Sequence, residues 1–179
     1  MLALLALTGC ALSPQTVSIS PVLVASGDTR PAGKRLAIRV RDTRPNKIIG
    51  YRGGVYATAS ITTTPDLTQS VSEKVAQYYR ASGYQISTGN GPPDISLEID
   101  IRNLNYQARQ KNILWHIKVY ASINATVTAD GRKKNLQLDD SVTREFTHPP
   151  STRQNELLIN DVFSKLLQRL LDNRGFLQA

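Results

Sequence analysis

Alternation of hydrophobic and polar residues is clearest in the second half of the chain, where it predicts three long strands. Residues 95–102 and 115–127 both place an apolar side chain at every second position. After the pair Asp130-Gly131, residues 136–146 form a third such stretch. A period of two puts successive side chains on opposite faces of a sheet, and Asp-Gly favours a two-residue hairpin turn. We expect a meander with one packed and one solvated face.

Shorter patterns predict strands in the first half. Residues 36–41 alternate, with apolar side chains at even positions and Arg39 and Arg41 at odd ones. This is the pattern of a half-buried strand. Residues 48–51 and 57–63 are candidates for short strands on either side of a Gly-Gly pair.

Two stretches carry the three- and four-residue spacing of amphipathic helices. The first begins at Thr64 as N-cap with Pro65 in the first turn, and Gly83 ends it. The second begins near Ser151, with Gln154 placed for a capping box. Their apolar positions are Leu67, Val71, Val75, Tyr78 and Tyr79 in the first helix and Leu158, Ile159, Val162, Phe163, Leu166, Leu167, Leu170 and Leu171 in the second.

The order strand, helix, three-strand meander, helix predicts the fold class. We expect an α+β two-layer sandwich, with a largely antiparallel sheet and both helices packed on one face. The 179 residues are enough for one domain.

The first ten residues predict a lipid anchor. Residues 2–7 are wholly apolar, and Leu7, Thr8 and Gly9 precede Cys10 in the spacing that a lipoprotein signal peptidase recognises. We predict a signal peptide over residues 1–9 and acylation of Cys10, for example with palmitate, which gives stable membrane attachment when two or more chains are present. The alternative for this thiol is an ordinary buried cysteine.

The residues that follow predict the cellular location of the protein and a domain boundary. Residue 11 is Ala rather than the Asp that retains lipoproteins in the inner membrane, which favours the outer membrane, on its periplasmic face. Residues 10–34 are rich in Pro, Gly, Ser and Thr, as in a tether, and residues 35–179 form the predicted domain. Alternatively, residues 16–19 and 22–24 form short edge strands on that domain.

These features together resemble the YajG-type lipoproteins of bacteria. The resemblance rests on the lipobox, the segments Ser18-Ile19-Ser20-Pro21 and Ser82-Gly83-Tyr84, the alternating strand over residues 94–103 and the C-terminal helix. It implies an outer-membrane or periplasmic lipoprotein with a helix-on-sheet domain. It brings no catalytic residues, and the short signal region is its one departure.

Positive charge is the feature that changes this picture most. The formal net charge is +8, and eight basic residues against one acid lie between residues 30 and 52. Such a surface attracts anionic lipid or glycan, and the candidate anion-binding residues are Arg39, Arg41, Arg44, Lys47 and Arg52. The alternative is a solvated face on which Arg39 and Arg41 pair with Glu98 and Asp100.

Candidate catalytic and metal-binding groups are few. The two histidines, His116 and His148, belong to no recognised motif. One cysteine excludes a multi-thiolate metal site, and Asp139 and Asp140 should point to opposite faces of their strand. We expect no catalytic activity, no cofactor and no metal.

The predicted function is therefore that of a binding or accessory module in the cell envelope. Its partners are the membrane, through the lipid on Cys10, and another envelope protein. The alternative is a binder or sensor of anionic lipid or glycan through a basic sheet face, and the third possibility is a hydrolase. The compartment argues against nucleic acid as a partner.

Overall fold

The computed structural model describes residues 12–25, 33–53, 59–87, 91–173 and 175–177. Within these ranges the chain forms one sheet of eight strands and two helices. The elements are β1 (Gln15–Val17), β2 (Arg35–Asp42), β3 (Ile48–Tyr51), β4 (Ser60–Thr63), α1 (Leu67–Ala81), β5 (Gln85–Ile86), β6 (Ile95–Lys111), β7 (Leu114–Ala129), β8 (Arg132–Phe146) and α2 (Thr152–Leu171).

The predicted meander is confirmed and makes up most of the sheet. Strands β6, β7 and β8 are antiparallel neighbours. Ala129 pairs with Arg132 across the turn, where Asp130 and Gly131 take φ values of 50° and 74°. Positive φ at both positions matches the right-handed twist of a tight hairpin. Alternate β7 side chains, from Trp115 to Ala129, are buried on one face of the sheet.

The sheet is mixed, which corrects part of the predicted fold class. The α+β class is confirmed, and the sheet is mixed. Its two longest pairings, β6–β7 and β7–β8, are antiparallel, but four of the seven pairings among the described strands are parallel: β1–β4, β2–β5, β2–β6 and β3–β6. Alternation shows which face a side chain takes, and it carries no information on the direction of a neighbouring strand. Strands β2 and β6 are separated by α1, and a crossover of that length permits parallel pairing.

A β-bulge divides β6 into two halves. Ile101 pairs with Ile123 of β7, whereas Asn103 pairs with Ser122, so Arg102 is an extra residue. Odd-numbered residues are buried before the bulge and even-numbered residues after it. The phase change explains why the sequence pattern predicted only the first half of this strand.

The two long edges of β6 have different neighbours. One edge pairs with β7 along its whole length. The other pairs with β2 in the first half and with β3 in the second, where Gly50 lies opposite Tyr106. A Cβ atom at Gly50 would clash with the Tyr106 carbonyl oxygen, so this approach requires glycine.

Both helices cover the same face of the sheet, as expected. Helix α1 packs on β2 and β5, and α2 packs on β7, β8 and β1. The helices are linked by a 3.0 Å hydrogen bond from the Tyr78 hydroxyl to Asp172. The capping box of Ser151 and Gln154 is confirmed.

The N-cap of α1 differs from the prediction. Asp66, rather than Thr64, precedes the helix. The Thr64 amide instead donates to the Val17 carbonyl oxygen at 3.0 Å, so it belongs to the pairing of β1 with β4.

The N-terminal segment lies on the domain where the structure describes it. Of the two alternatives left open for this segment, the one with short edge strands is observed in part: residues 15–24 lie on the domain and Gln15–Val17 forms β1, with Val17 and Ile19 buried, but residues 22–24 form no strand. Every second backbone N–H then donates to a side chain of α2, in what we call the N-terminal ladder. Its bonds run from Ser18 to Glu156 (3.0 Å), Ser20 to Asn160 (2.6 Å), Val22 to Ser164 (2.9 Å) and Val24 to Gln168 (2.9 Å).

The spacing of the ladder follows from the geometry of its two elements. Two residues of extended chain advance by about 6.6 Å, and four residues of α-helix advance by about 6 Å. The two repeats therefore stay in step over residues 18–24.

Candidate functional site

Arg39 and Arg41, two of the three arginines of β2, lie on the face of the sheet opposite the helices, which we call the open face. Arg41 Nε is 2.7 Å from Asp100 Oδ1, and Arg41 Nη2 is 3.5 Å from Glu98 Oε2. The hydrogen bond to Asp100, together with the charges of both carboxylates, raises the pKa of Arg41. Arg39 is exposed and lies opposite Glu98 in the register. For Arg41, the structure thus shows the cross-strand pairing that was the alternative to an anion site.

Arg44 and Lys47 both bind one carboxylate, that of Asp42. The distances are 2.8 Å from Arg44 Nε and 2.6 Å from Lys47 Nζ. Burial alone would raise the pKa of Asp42, but the hydrogen bonds from Arg44 and Lys47 outweigh it and hold this pKa well below its usual range. The Arg44 side chain is only 2% exposed, so its charge serves the packing of the β2–β3 loop.

Arg52 joins two separate parts of the backbone. Its guanidinium donates to the carbonyl oxygens of Ser13, at 3.0 Å, and Pro150, at 3.1 Å. The five basic residues therefore do not converge on one surface: Arg39 and Arg41 lie on the open face, Arg44 and Lys47 at Asp42, and Arg52 at the start of α2.

A different group of side chains forms the concave part of the open face. A cavity of about 300 Å³ is lined by Asn103, Asn105, Gln107, Lys118 and Tyr120. Asn105 and Gln107 form a polar ridge, and a second cavity, of about 500 Å³, lies on its other side and shares these two residues. Its further lining includes Asn46, Ile48, Gly50, Tyr51 and Arg109.

The second half of β6 positions this site. The bulge at Arg102 turns Asn103, Asn105 and Gln107 away from the helices. Asn105 then lies opposite Tyr120 and Gln107 opposite Lys118 on β7. The Asn103 amide donates to Ser122 Oγ at 3.1 Å, which fixes one edge of the cavity.

Sequence reasoning missed these residues. Its strand ended at Arg102, although Leu104, Tyr106 and Ala108 resume the alternation one residue out of phase. Allowing for a bulge would have placed Asn105 and Gln107 on the open face.

The histidines and the acidic pair were the other candidates for catalysis or metal binding. His116 Nδ1 is 3.1 Å from Glu145 Oε1, and both side chains are substantially exposed. Such a surface pair is worth about 0–1 kcal/mol. Asp139 and Asp140 face opposite sides of β8, as expected, because they pair with Ser122 and Ala121. No group of three or more metal-ligating side chains occurs within the described ranges.

The predicted lipid anchor lies outside the described residues. Leu7, Thr8, Gly9 and Cys10 therefore keep the role that the sequence predicts for them. In the part of the chain that the structure describes, no helix is long and apolar enough to cross a membrane.

The family is decided by comparison with known proteins. A family profile of uncharacterised lipoproteins matches residues 21–179. The chain belongs to this lipoprotein family. YajG of Escherichia coli K12, an uncharacterised lipoprotein, is 27% identical over 166 residues, which are 92% of this chain and 85% of that protein. The resemblance that the sequence indicated is confirmed.

Two solved structures share the fold of this lipoprotein. Protein XCC0632 of Xanthomonas campestris has a TM-score of 0.60 and 13% identity, over 87% of this chain and 91% of that one. A homolog of a neuraminyllactose-binding hemagglutinin from Helicobacter pylori has a TM-score of 0.58 and 10% identity, over 88% of this chain and 92% of that one. At these identities the likeness concerns the fold alone.

Proposed function

We propose that this lipoprotein is anchored through acylated Cys10 in the outer membrane and binds another envelope protein through the open face of its sheet. The concave open face along the second half of β6 is the observation that carries the binding role. The anchor rests on the sequence Leu7-Thr8-Gly9-Cys10 and on membership of a lipoprotein family. The choice of the outer membrane rests on Ala11, which replaces the inner-membrane retention signal.

The open face is suited to recognition because its polar groups stand on a rigid frame. Asn105, Gln107 and Lys118 are exposed, yet they project from strands paired along their whole length. No hydrogen bond within the described ranges occupies the side-chain amides of Asn105 and Gln107. Binding would therefore require little ordering of the backbone, which favours affinity, and the two amides are available to a ligand.

Binding is favoured over catalysis by where the shifted pKa values lie. Enzyme active sites concentrate such groups in a cleft. Here the shifted carboxylate, Asp42, is held by Arg44 and Lys47, and burial raises the pKa of the Tyr106 hydroxyl to about 12 inside the core. Neither this carboxylate nor this hydroxyl lies at the polar ridge of Asn105 and Gln107, and the raised pKa of Arg41 on the open face comes from its pairing with Asp100 and Glu98.

A glycan with acidic sugars is the second candidate ligand. The 300 Å³ cavity offers amides for sugar hydroxyls, the Lys118 ammonium for a carboxylate and the Tyr120 ring for stacking. The Helicobacter pylori protein of the same fold is a homolog of a hemagglutinin that binds neuraminyllactose, an acidic glycan.

Site-specific photo-crosslinking in intact cells tests the binding face. A photoreactive amino acid replaces Gln107 on the open face or, as a matched control, Gln77, which is exposed on α1. We expect a protein adduct from position 107 that position 77 does not give. The additional substitution Asn105→Lys should remove the adduct, because a longer, charged side chain on the ridge between the cavities would keep the partner from contacting it.

The outcomes of this experiment distinguish a protein partner from a glycan ligand. Equal adduct yields from positions 107 and 77 would contradict the proposed face. Loss of the protein adduct on treatment with sialidase would favour the glycan instead.

A further inference from the structure

The turn that joins β6 to β7 exposes an isoleucine. Ile113 is 78% exposed, more than any other large hydrophobic residue in the described ranges. Asn112 supplies the positive φ, 56°, that the turn needs. Turn positions favour Gly, Asn, Asp and Ser, so the local backbone gives no reason for an isoleucine at this tip.

The N-terminus leaves the sheet at the same end as this tip. Gln15, Ile61, Gly50 and Tyr106 form one row across β1, β4, β3 and β6. Strand β1 is parallel to β4, β4 is antiparallel to β3, and β3 is parallel to β6, so β1 runs antiparallel to β6. Residues 12–14 therefore lead away from β1 in the direction in which β6 runs after Tyr106. We call this the anchor end.

The reach of the two segments from that row is nearly the same. Five residues separate Gln15 from Cys10, which is at most about 18 Å of extended chain. Five residues carry β6 from Tyr106 to Lys111, about 17 Å, and the tip lies just beyond. Arg52 holds Ser13 at its place in the structure, so only three residues are left to set the height of Cys10. An acylated Cys10 would hold the tip at the surface of the lipid.

The basic residues at the tip of the β6–β7 turn suit a position at the membrane surface. Arg109 and Lys111 are exposed beside Ile113. An apolar side chain flanked by basic ones is the arrangement with which peripheral segments enter the interface of an anionic bilayer. A second basic cluster, residues 132–134, lies at the other end of β7, about 50 Å away, and cannot reach the same leaflet.

We propose that the β6–β7 turn docks on the membrane that holds the anchor, with Ile113 inserted among anionic phospholipids and Arg109 and Lys111 on their phosphates. This inference rests on the proposed acylation of Cys10. The docking would fix the orientation of the domain, with the open face standing nearly perpendicular to the bilayer and its cavities close to the lipid.

An environment-sensitive fluorophore tests the docking in the acylated protein. The chain has one cysteine, which the lipid occupies, so Ile113→Cys introduces the only free thiol. Lys133→Cys, near the opposite turn, is the matched control. In vesicles with phosphatidylglycerol we expect a blue shift and stronger emission for the label at position 113 and water-like emission at position 133. Arg109→Ser with Lys111→Ser should reduce the blue shift, most at low salt.

Mass spectrometry of the same samples shows whether Cys10 is acylated, so it distinguishes failure of the docking from failure of the anchor. An acylated protein with water-like emission at position 113 would overturn the docking and leave the anchor intact. A protein that carries no acyl group on Cys10 would overturn both. Water-like emission in vesicles combined with a buried label in native envelopes would assign the tip to a protein contact and overturn the lipid assignment.

Discussion

At the scale of residues, some charged side chains are buried in contacts that stabilise the fold, and others are exposed to solvent. Arg44 is buried against Asp42 and also donates to the Thr63 hydroxyl at 3.0 Å. A buried charge that loses its partner is costly, whereas exposed pairs contribute little. The stability of the β2–β3 region should therefore depend on Asp42 far more than on Asp100, whose partner Arg41 is exposed.

Asp42→Asn should lower the free energy of unfolding at pH 7 by about 2–3 kcal/mol, since Arg44 would be left buried without a counter-charge. The pKa of Asp42 is depressed in the folded protein, so its contribution is present above about pH 4, the value in the unfolded chain, and is lost as pH falls further. Urea unfolding from pH 3 to pH 7 measures this. Asp100→Asn is the control and should cost less. A difference from the wild type that is the same at every pH would contradict the expectation.

Sequence reasoning identified the basic residues and offered the pairing of Arg41 with Asp100 and Glu98 as an alternative, but it could not assign the partners of Arg44, Lys47 and Arg52. Asp42 lies two residues before Arg44, and nothing in that spacing shows that the loop closes over the pair. Arg52 binds carbonyl groups that are 39 and 98 residues away along the chain. Such partners are fixed by tertiary packing, which local patterns do not contain.

At the scale of elements, the N-terminal ladder shows how a segment without regular secondary structure is held on a helix by hydrogen bonds. Asn160 makes one bond of the ladder and one further bond to the same segment: it accepts from the Ser20 amide at 2.6 Å and donates to the Ser18 carbonyl oxygen at 3.0 Å. Both bonds hold backbone groups that would otherwise have to be satisfied by water. The segment is therefore attached at defined points along α2.

Asn160→Ala should lower the free energy of unfolding by about 1–2 kcal/mol, because two hydrogen bonds to backbone are lost. The neighbouring change Asp161→Ala removes only an exposed pair with Lys165 and should cost about 0.5 kcal/mol or less. Equilibrium unfolding in urea compares the two variants. Equal losses would show that the ladder adds nothing beyond the surface pair.

Elements with a continuous period were predicted well, and those that depend on distant partners were not. The turn at Asp130-Gly131, strand β7 and the capped start of α2 all follow from local residues. Strand β1 has three residues and exists because β4 accepts it as a parallel neighbour. The second half of β6, with Asn105 and Gln107, was missed because one extra residue inverts the pattern.

At the scale of the molecule, anchoring and folding should be separable. Among the described residues, the core cluster is built from Leu12 onward. Cys10→Ser should therefore abolish acylation and move the protein from the membrane to the soluble fraction while leaving its melting temperature unchanged. Fractionation and thermal unfolding measured by circular dichroism check both parts. A Ser variant that stays with the membrane would disprove the anchor.

The ladder also determines how the domain would respond to mechanical load. If the protein is held at Cys10 and its partner moves away, tension enters the domain along residues 15–24. The bonds from β1 to β4 and from the ladder to α2 lie across that line of pull, so the force is shared among them instead of opening them one after another. The attachment would act as a shear joint, which yields only when several bonds break together.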